Sequence, residues 1–451
     1  MLLASLSAAA VSSAETPPSE SVRGLTFDYV PWEQMSKQRR GIMWAMQLAK
    51  AVDRTLLLPP LRFHTPEKDV FKYVPYSELF ELAPLARVHP TFELTDTLHG
   101  NGRQVDLVFS NLKGRMPESA AKAAASNAEW VAGECAHKTS CQVNAQGREE
   151  VCVTRSDFAG VEDVQIHNLT CGWTRAMRWD LILRAHDVKD APIVGIGAIV
   201  YQIPPPVSMA ELSSFVRARD AGAETCGWRC PYTHIRSGMV YRSGLVEAAT
   251  GFLRTMRERL ADPDEASRSA SSGPVRVLAV HWRRGDFLNH RHSQGVDVVC
   301  TDEATGQRLQ STATAGAREC PRATVILPPH DLAKEISGLL ELHNASVVFL
   351  ASNAKEDEVD ELKVALPDIP IARFEPEAVA ASALDVAASS ASAPMAFHYT
   401  DAELAVMDTL ICSLADAFLG TRRSMFSWNI LEERVLQGKD ARTGRLMGLR
   451  T

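Results

Sequence analysis

The sequence contains no uninterrupted apolar run of the ~18 residues that a membrane-spanning helix needs, and no excess of basic charge. Its formal net charge of −7 at pH 7 argues against a general nucleic-acid binder, because no surplus of Lys and Arg exists to neutralise a run of phosphates. A local basic pocket stays possible. Nine cysteines are too few for a disulfide scaffold of 451 residues. The chain has no P-loop, no His-Glu-x-x-His and no Gly-x-Ser-x-Gly elbow, which removes the commonest NTPase, zincin and hydrolase readings. Cys226-Gly-Trp-Arg-Cys230 lacks a companion His/Cys pair, and Asp262-Pro263-Asp264 resembles a metal-binding pair in spelling only, so no metal site is expected.

What is present is an ordinary globular composition, 45% hydrophobic and 23% charged, in a chain long enough for two or three domains. Residues 1–14 form a short apolar stretch closing on Ser12-Ser13-Ala14, which reads as a secretory signal, although it lacks a basic leader. Two glycosylation sequons, Asn168-Leu169-Thr170 and Asn344-Ala345-Ser346, fit the same route. Eight of the nine cysteines fall between Cys135 and Cys320, and a Cys300–Cys320 bridge is expected to staple the long polar segment 289–328. Cys412 sits alone on an apolar segment and reads as a buried free thiol.

Apolar residues recur at helical spacing over 39–52, and Thr55-Leu56-Leu57-Leu58 then reads as a buried strand ended by Pro59-Pro60. Further strands are expected at 193–201, 275–282 and 346–351, with helical patterns between and after them. That alternation predicts parallel sheets covered by helices on both faces. The polar, breaker-rich stretch 263–274 marks a linker between domains 22–262 and 275–451. A second low-complexity piece, 377–394, is mostly Ala and Ser and reads as a surface insertion.

The strand ending in His281-Trp282-Arg283-Arg284-Gly285-Asp286-Phe287 delivers a cationic cluster to the edge where open α/β sheets bind ligands. A guanidinium there can hold two phosphoryl oxygens at once and stays charged at any working pH. For Arg284 and Asp286 the plainer alternative is a salt bridge to each other. Gly420-Thr421-Arg422-Arg423-Ser424-Met425-Phe426-Ser427 opens a second helix with small residues, whose backbone N–H groups suit an anion; capping by Ser424 or Ser427 is the alternative. Near the N-terminus, Glu33 precedes Gln34-Met35-Ser36-Lys37 at another junction leading into a helix. Its carboxylate suits a general base, or merely the positive end of a helix.

Taken in order, these stretches resemble the protein O-fucosyltransferases, most closely the type that modifies thrombospondin type 1 repeats. The resemblance also rests on Leu56-Leu57-Leu58-Pro59-Pro60, Val74-Pro75-Tyr76-Ser77-Glu78-Leu79-Phe80, His290-Arg291, Ile411-Cys412 and Glu432-Glu433-Arg434. It implies a GT-B fold, α/β, with two Rossmann-like domains facing across a cleft and GDP-fucose held mainly by the C-terminal one.

It further implies inversion at the fucose anomeric carbon, no required metal or cofactor beyond the donor GDP-fucose, and a folded cysteine-rich acceptor in the endoplasmic reticulum lumen or secretory pathway. In this resemblance Glu33 and Arg283 are catalytic. Gln34, Met35, Ser36, Lys37, His281, Trp282, Ser424, Met425 and Phe426 bind substrate, and Asp408 contacts the guanine base. The sequence departs from the family after Glu33, where a Gly-Phe-Asn stretch is replaced by one with neither glycine nor asparagine, and at Asn353, where the family often has aspartate. Alternatives are EGF-like repeats or a glycan as acceptor, and a degenerate protein that binds GDP-fucose or repeats without catalysis.

Overall fold

The computed structural model describes residues 23–29, 35–64, 71–100, 104–111, 154–158, 161–166, 169–172, 191–199, 229–260, 274–284, 298–301, 308–311, 324–325, 327–375, 400–422 and 424–447. The candidate signal 1–14, Glu33, Gln34, Asn168, Cys320, Asp286 and the insertion 377–394 lie outside them.

Two compact units partition the chain: one comprises Met1–Pro31, Ala45–Pro60 and His89–Val200, the other Trp32–Trp44, Leu61–Val88 and Tyr201–Thr451. The grouping is therefore discontinuous in sequence, whereas the linker at 263–274 implies a single cut.

The first unit is built on six parallel strands: β1 (Gly24–Tyr29), β2 (Thr55–Leu58), β3 (Thr91–Glu93), β4 (Leu107–Asn111), β5 (Leu169–Gly172) and β6 (Ile193–Ile199), in the order β5-β4-β6-β1-β2-β3. Arg54 is buried against its base, donating to the carbonyls of Gly24, Ala191 and Pro192.

The second unit has five parallel strands: β7 (Val277–Trp282), β8 (Val347–Ser352), β9 (Ile371–Ala372), β10 (Ala417–Gly420) and β11 (Gly444–Leu446), in the order β9-β8-β7-β10-β11. Every residue of β7 is buried, as a central strand covered on both faces requires. Leu278, Val280 and Trp282 face helices α4 (Pro329–His343) and α5 (Glu356–Ala365), in one core with Val348, Leu350, Ala417 and Leu419. The alternate residues face α6 (Asp401–Leu414), α7 (Met425–Leu436) and α3 (Ser243–Leu260), whose Phe252 meets Phe349 edge-on. Helices α1 (Met35–Ala51) and α2 (Arg229–Gly238) complete the numbered set.

Two expectations are modified. The segment 289–328 is more than a loop: Val298–Thr301, Arg308–Ser311 and Thr324–Val325 form a three-stranded antiparallel sheet, favoured by the β-branched run Val298-Val299. Trp282, expected to bind substrate, is fully buried and donates its indole N–H to Leu327 O at 3.0 Å, so its side chain serves the core. Cys412 is a buried free thiol as expected, and burial pushes its pKa up. Asn344 is exposed at the C-cap of α4 in the left-handed region (φ 49°), a conformation that asparagine tolerates.

Candidate functional site

In an open parallel sheet the chain leaves a crevice where strand order reverses. In the second unit that point lies between β7 and β10, and His281, Arg283 and the Ser424 turn collect there. Thr421 ties the two strand ends together. Its N–H and its hydroxyl both donate to His281 O, at 3.0 and 2.8 Å. Its Oγ1 accepts the Arg283 N–H at 2.9 Å, and its carbonyl accepts the Ser424 N–H at 3.2 Å. One residue thus fixes both Arg283 and the start of α7.

The two arginines of the strand end differ in role. Arg284 is buried, paired with Glu358, over the Trp282 ring at 5.3 Å and bonded to Leu327 O, while its N–H donates to Asn353 Oδ1 at 2.8 Å. It holds β7, β8 and α5 together, and its charge partner is Glu358. Asn353, one of the departures from the family pattern, also takes part in that junction. Arg283 is half-buried and is anchored at the crevice through its main chain.

The start of α7 carries neither of the serine caps that would make it an ordinary helix end. Ser424 is the N-cap, yet its side chain makes no capping bond; its hydroxyl is fully buried with no hydrogen-bond partner among the described residues. Ser427 Oγ instead meets His281 Nδ1 at 2.7 Å, and Phe426 packs on the His281 ring at 4.7 Å between centroids. A Cβ at Gly420 would lie 2.8 Å from both the Phe418 ring and Ser427 Cβ, so glycine is what lets α7 approach the strand end. The first-turn amides of Met425, Phe426 and Ser427 precede the intrahelical ladder, and with the positive helix end they are chemically suited to receive an anion.

Asp408 lies on α6, half-buried, where burial pushes its carboxyl up to about 7 against the opposing pull of Arg373. Arg373 follows β9 and donates to Ser352 O at 3.4 Å and to Glu356 Oε1 at 2.6 Å, which places this pair at the same C-terminal edge of the sheet. Met35, Ser36 and Lys37 form the first turn of α1, and Asn429 of α7 donates to Ser36 O at 3.3 Å. Among the described residues no cluster of three or more His, Cys, Asp or Glu is placed to share a metal ion.

A family model described as GDP-fucose protein O-fucosyltransferase matches residues 34–437. The chain belongs to this family. As a member of the O-fucosyltransferase family, it is a glycosyltransferase of the α/β class with a GT-B fold. Human GDP-fucose protein O-fucosyltransferase 2 is 24% identical over 444 residues, covering 93% of this chain and 85% of its own. The Caenorhabditis elegans protein of the same name is 26% identical over 219 residues, covering 46% and 39%. Crystal structures of POFUT1 with GDP and with GDP-fucose superpose with TM-scores of 0.53 and 0.52 at 16% and 17% identity; they cover 95% and 94% of this chain and 100% and 98% of their own. These O-fucosyltransferases share the fold described above.

Thr421, Ser427 and Gly420 assemble the site; the sequence marks their stretch as one that opens a helix with small residues, but not the bonds of Thr421 to His281 and Arg283 or of Ser427 to His281.

Proposed function

We propose that the protein is an inverting, metal-independent peptide O-fucosyltransferase that moves fucose from GDP-fucose to Ser or Thr hydroxyls of folded, disulfide-bonded repeats of the thrombospondin type 1 kind. The observation that carries this reading is the Thr421 junction, which sets Arg283 beside a helix start whose Ser424 hydroxyl is buried and unpartnered among the described residues.

The acceptor oxygen attacks the anomeric carbon from the face opposite the diphosphate. The bond from that carbon to the β-phosphate oxygen breaks, and GDP departs with the bonding pair. Charge therefore develops on the β-phosphate in the transition state, where the Arg283 guanidinium and the positive end of α7 supply stabilisation. Those two groups occupy the role a metal ion fills in other nucleotide-sugar enzymes. Glu33 is assigned the acceptor proton, with Gln34 to Lys37 alongside the nucleotide and residues 275–451 as the donor-binding domain. The endoplasmic reticulum lumen or another secretory compartment supplies the oxidised acceptor, the Cys300–Cys320 bridge and glycans on Asn168 and Asn344. No described helix is long and apolar enough to cross a membrane.

The test uses the purified full chain, labelled GDP-fucose and a panel of folded thrombospondin type 1 repeats, EGF-like repeats and free glycans. Transfer to the first is expected. Activity confined to a glycan refutes protein modification, and GDP binding by calorimetry without any transfer identifies a non-catalytic binding protein.

Asp408 gives this reading a pH signature. Its carboxyl, raised to about 7 by burial, keeps a proton in the folded chain that the unfolded chain loses near 4. Stability contributed by this group is therefore full below pH 4 and declines as pH rises to about 7. As a guanine acceptor, however, Asp408 must be ionised, so GDP affinity should rise across neutral pH. Asp408→Asn is expected to raise the melting temperature more at pH 8 than at pH 5, while weakening GDP and flattening its pH dependence. Unchanged GDP affinity at pH 8 removes the base contact.

A further inference from the structure

Away from the starts of α1 and α7, five charged side chains meet in one buried cluster of the second unit. Arg39 and Arg40 come from α1, Arg236 from α2, Glu432 and Glu433 from α7. Arg236 lies 2.5 Å from Glu433 and 3.5 Å from Glu432; Arg39 lies 3.7 Å from Glu433, and Arg40 4.0 Å from Glu432. Arg39 also donates to the Tyr241 hydroxyl at 2.7 Å and sits over the rings of Phe80 and Tyr241. Tyr76, Phe80 and Tyr241 form a continuous stack behind it.

Stability alone does not account for this cluster. Arg39, Arg40, Arg236 and Glu432 are each 3% exposed or less, and three cations face two carboxylates. Several guanidinium nitrogens of Arg39 and Arg40 have no hydrogen-bond partner among the described residues. Burying so many charges loses solvation that their pairing barely returns, and an apolar core of the same volume is commonly as stable. What charge pairs add is register, since each fits only its own partner. The bonded pairs advance together, Ser36 with Asn429 and then Arg39 and Arg40 with Glu433 and Glu432. Helices α1 and α7 therefore run in the same direction.

We infer that Arg39, Arg40, Arg236, Glu432 and Glu433 are positioning residues that lock the first turn of α1 in register with the N-terminus of α7. The inference rests on the function proposed above. The α7 end receives the leaving group, and α1 follows the assigned proton acceptor Glu33 by two residues in the sequence, so the lock ties the helix that leads from the one to the helix that holds the other.

The test compares wild type with Glu433→Gln in the full chain. The lock predicts a kcat for fucose transfer about 10–100-fold lower, with GDP affinity within twofold by calorimetry. It also predicts faster amide exchange across Met35–Trp44 and no change in Ser243–Leu260. Should Glu433→Gln fail to fold, Glu433→Asp, which keeps the charge but shortens its reach, carries the same measurements. A lower melting temperature with unchanged kcat makes the cluster merely structural and overturns the inference. So does a loss of GDP affinity in proportion to kcat. If the wild type transfers no fucose, the functional reading fails separately, and unchanged exchange of Met35–Trp44 then decides against the lock.

Discussion

Arg283→Ala is expected to lower single-turnover fucose transfer by about 10²–10³-fold, the range seen when one preorganised charge stabiliser is removed from a transition state. GDP affinity should fall much less, because the developing charge on the β-phosphate is greatest at the transition state and the α7 amides remain. The fold should survive, since the bond from this residue to Thr421 comes from its backbone N–H and not its side chain. Arg283→Lys should recover only part of the rate: an ammonium keeps the charge but cannot hold two phosphoryl oxygens in one plane. Rapid-quench assays with labelled donor, beside calorimetry with GDP, separate the two effects. Retention of a third or more of the wild-type rate would remove Arg283 from the reaction.

The largest loss of stability is expected from Arg434→Met, which preserves volume and deletes the charge. Arg434 is 2% exposed, and its guanidinium donates to the carbonyls of Cys412, Ser413, Ala415 and Asp416, and to Thr443 through both its carbonyl and its hydroxyl. Helix α6 ends at Leu414, so the Cys412 and Ser413 carbonyls are among those a helix terminus leaves without intrahelical donors, and Ala415 and Asp416 follow directly. Burial lowers the Arg434 pKa to about 10, which still leaves it charged at neutral pH. Uncapping buried carbonyls costs roughly 1–3 kcal/mol each where water cannot reach them, and partial relaxation brings the total to about 3–5 kcal/mol. A fall in melting temperature on the order of 10 °C follows. A shift within 2 °C would mean that solvent or other groups replace the guanidinium.

Much of the architecture is legible in the sequence because its signals are local. The continuous apolar run before His281 gives β7, the small residues from Gly420 to Ser427 give the close strand-to-helix junction, and α1 and β2 follow from periodicity and Pro59-Pro60. What stays hidden depends on residues far apart in the chain. Arg284 is paired with Glu358 on a helix more than seventy residues further along the chain, which nothing beside it in the sequence shows. Trp282 alternates with His281 along β7, and only the placement of α4 and α5 decides which of the two is core. Glu432-Glu433-Arg434 is recognisable as a family stretch, yet nothing in it shows that two carboxylates serve α1 and α2 while the adjoining guanidinium caps α6. The strands of 298–325 are masked in sequence by the polar residues between them.

The start of α7 has a long-range consequence. Each helix start carries about half a positive charge from its aligned peptide dipoles; Glu33 stands two residues before α1, whereas α7 has no acidic side chain in its first turn or in the five residues before it. The α7 end, preceded by Arg422 and Arg423, is therefore a positive focus on a protein whose overall charge is −7. A dianionic diphosphate approaching from solution is drawn to that focus although the molecule as a whole repels it. Nucleotide capture should then hold or quicken as ionic strength rises, because added salt screens the distant repulsion of the whole molecule more than the close attraction of the helix end.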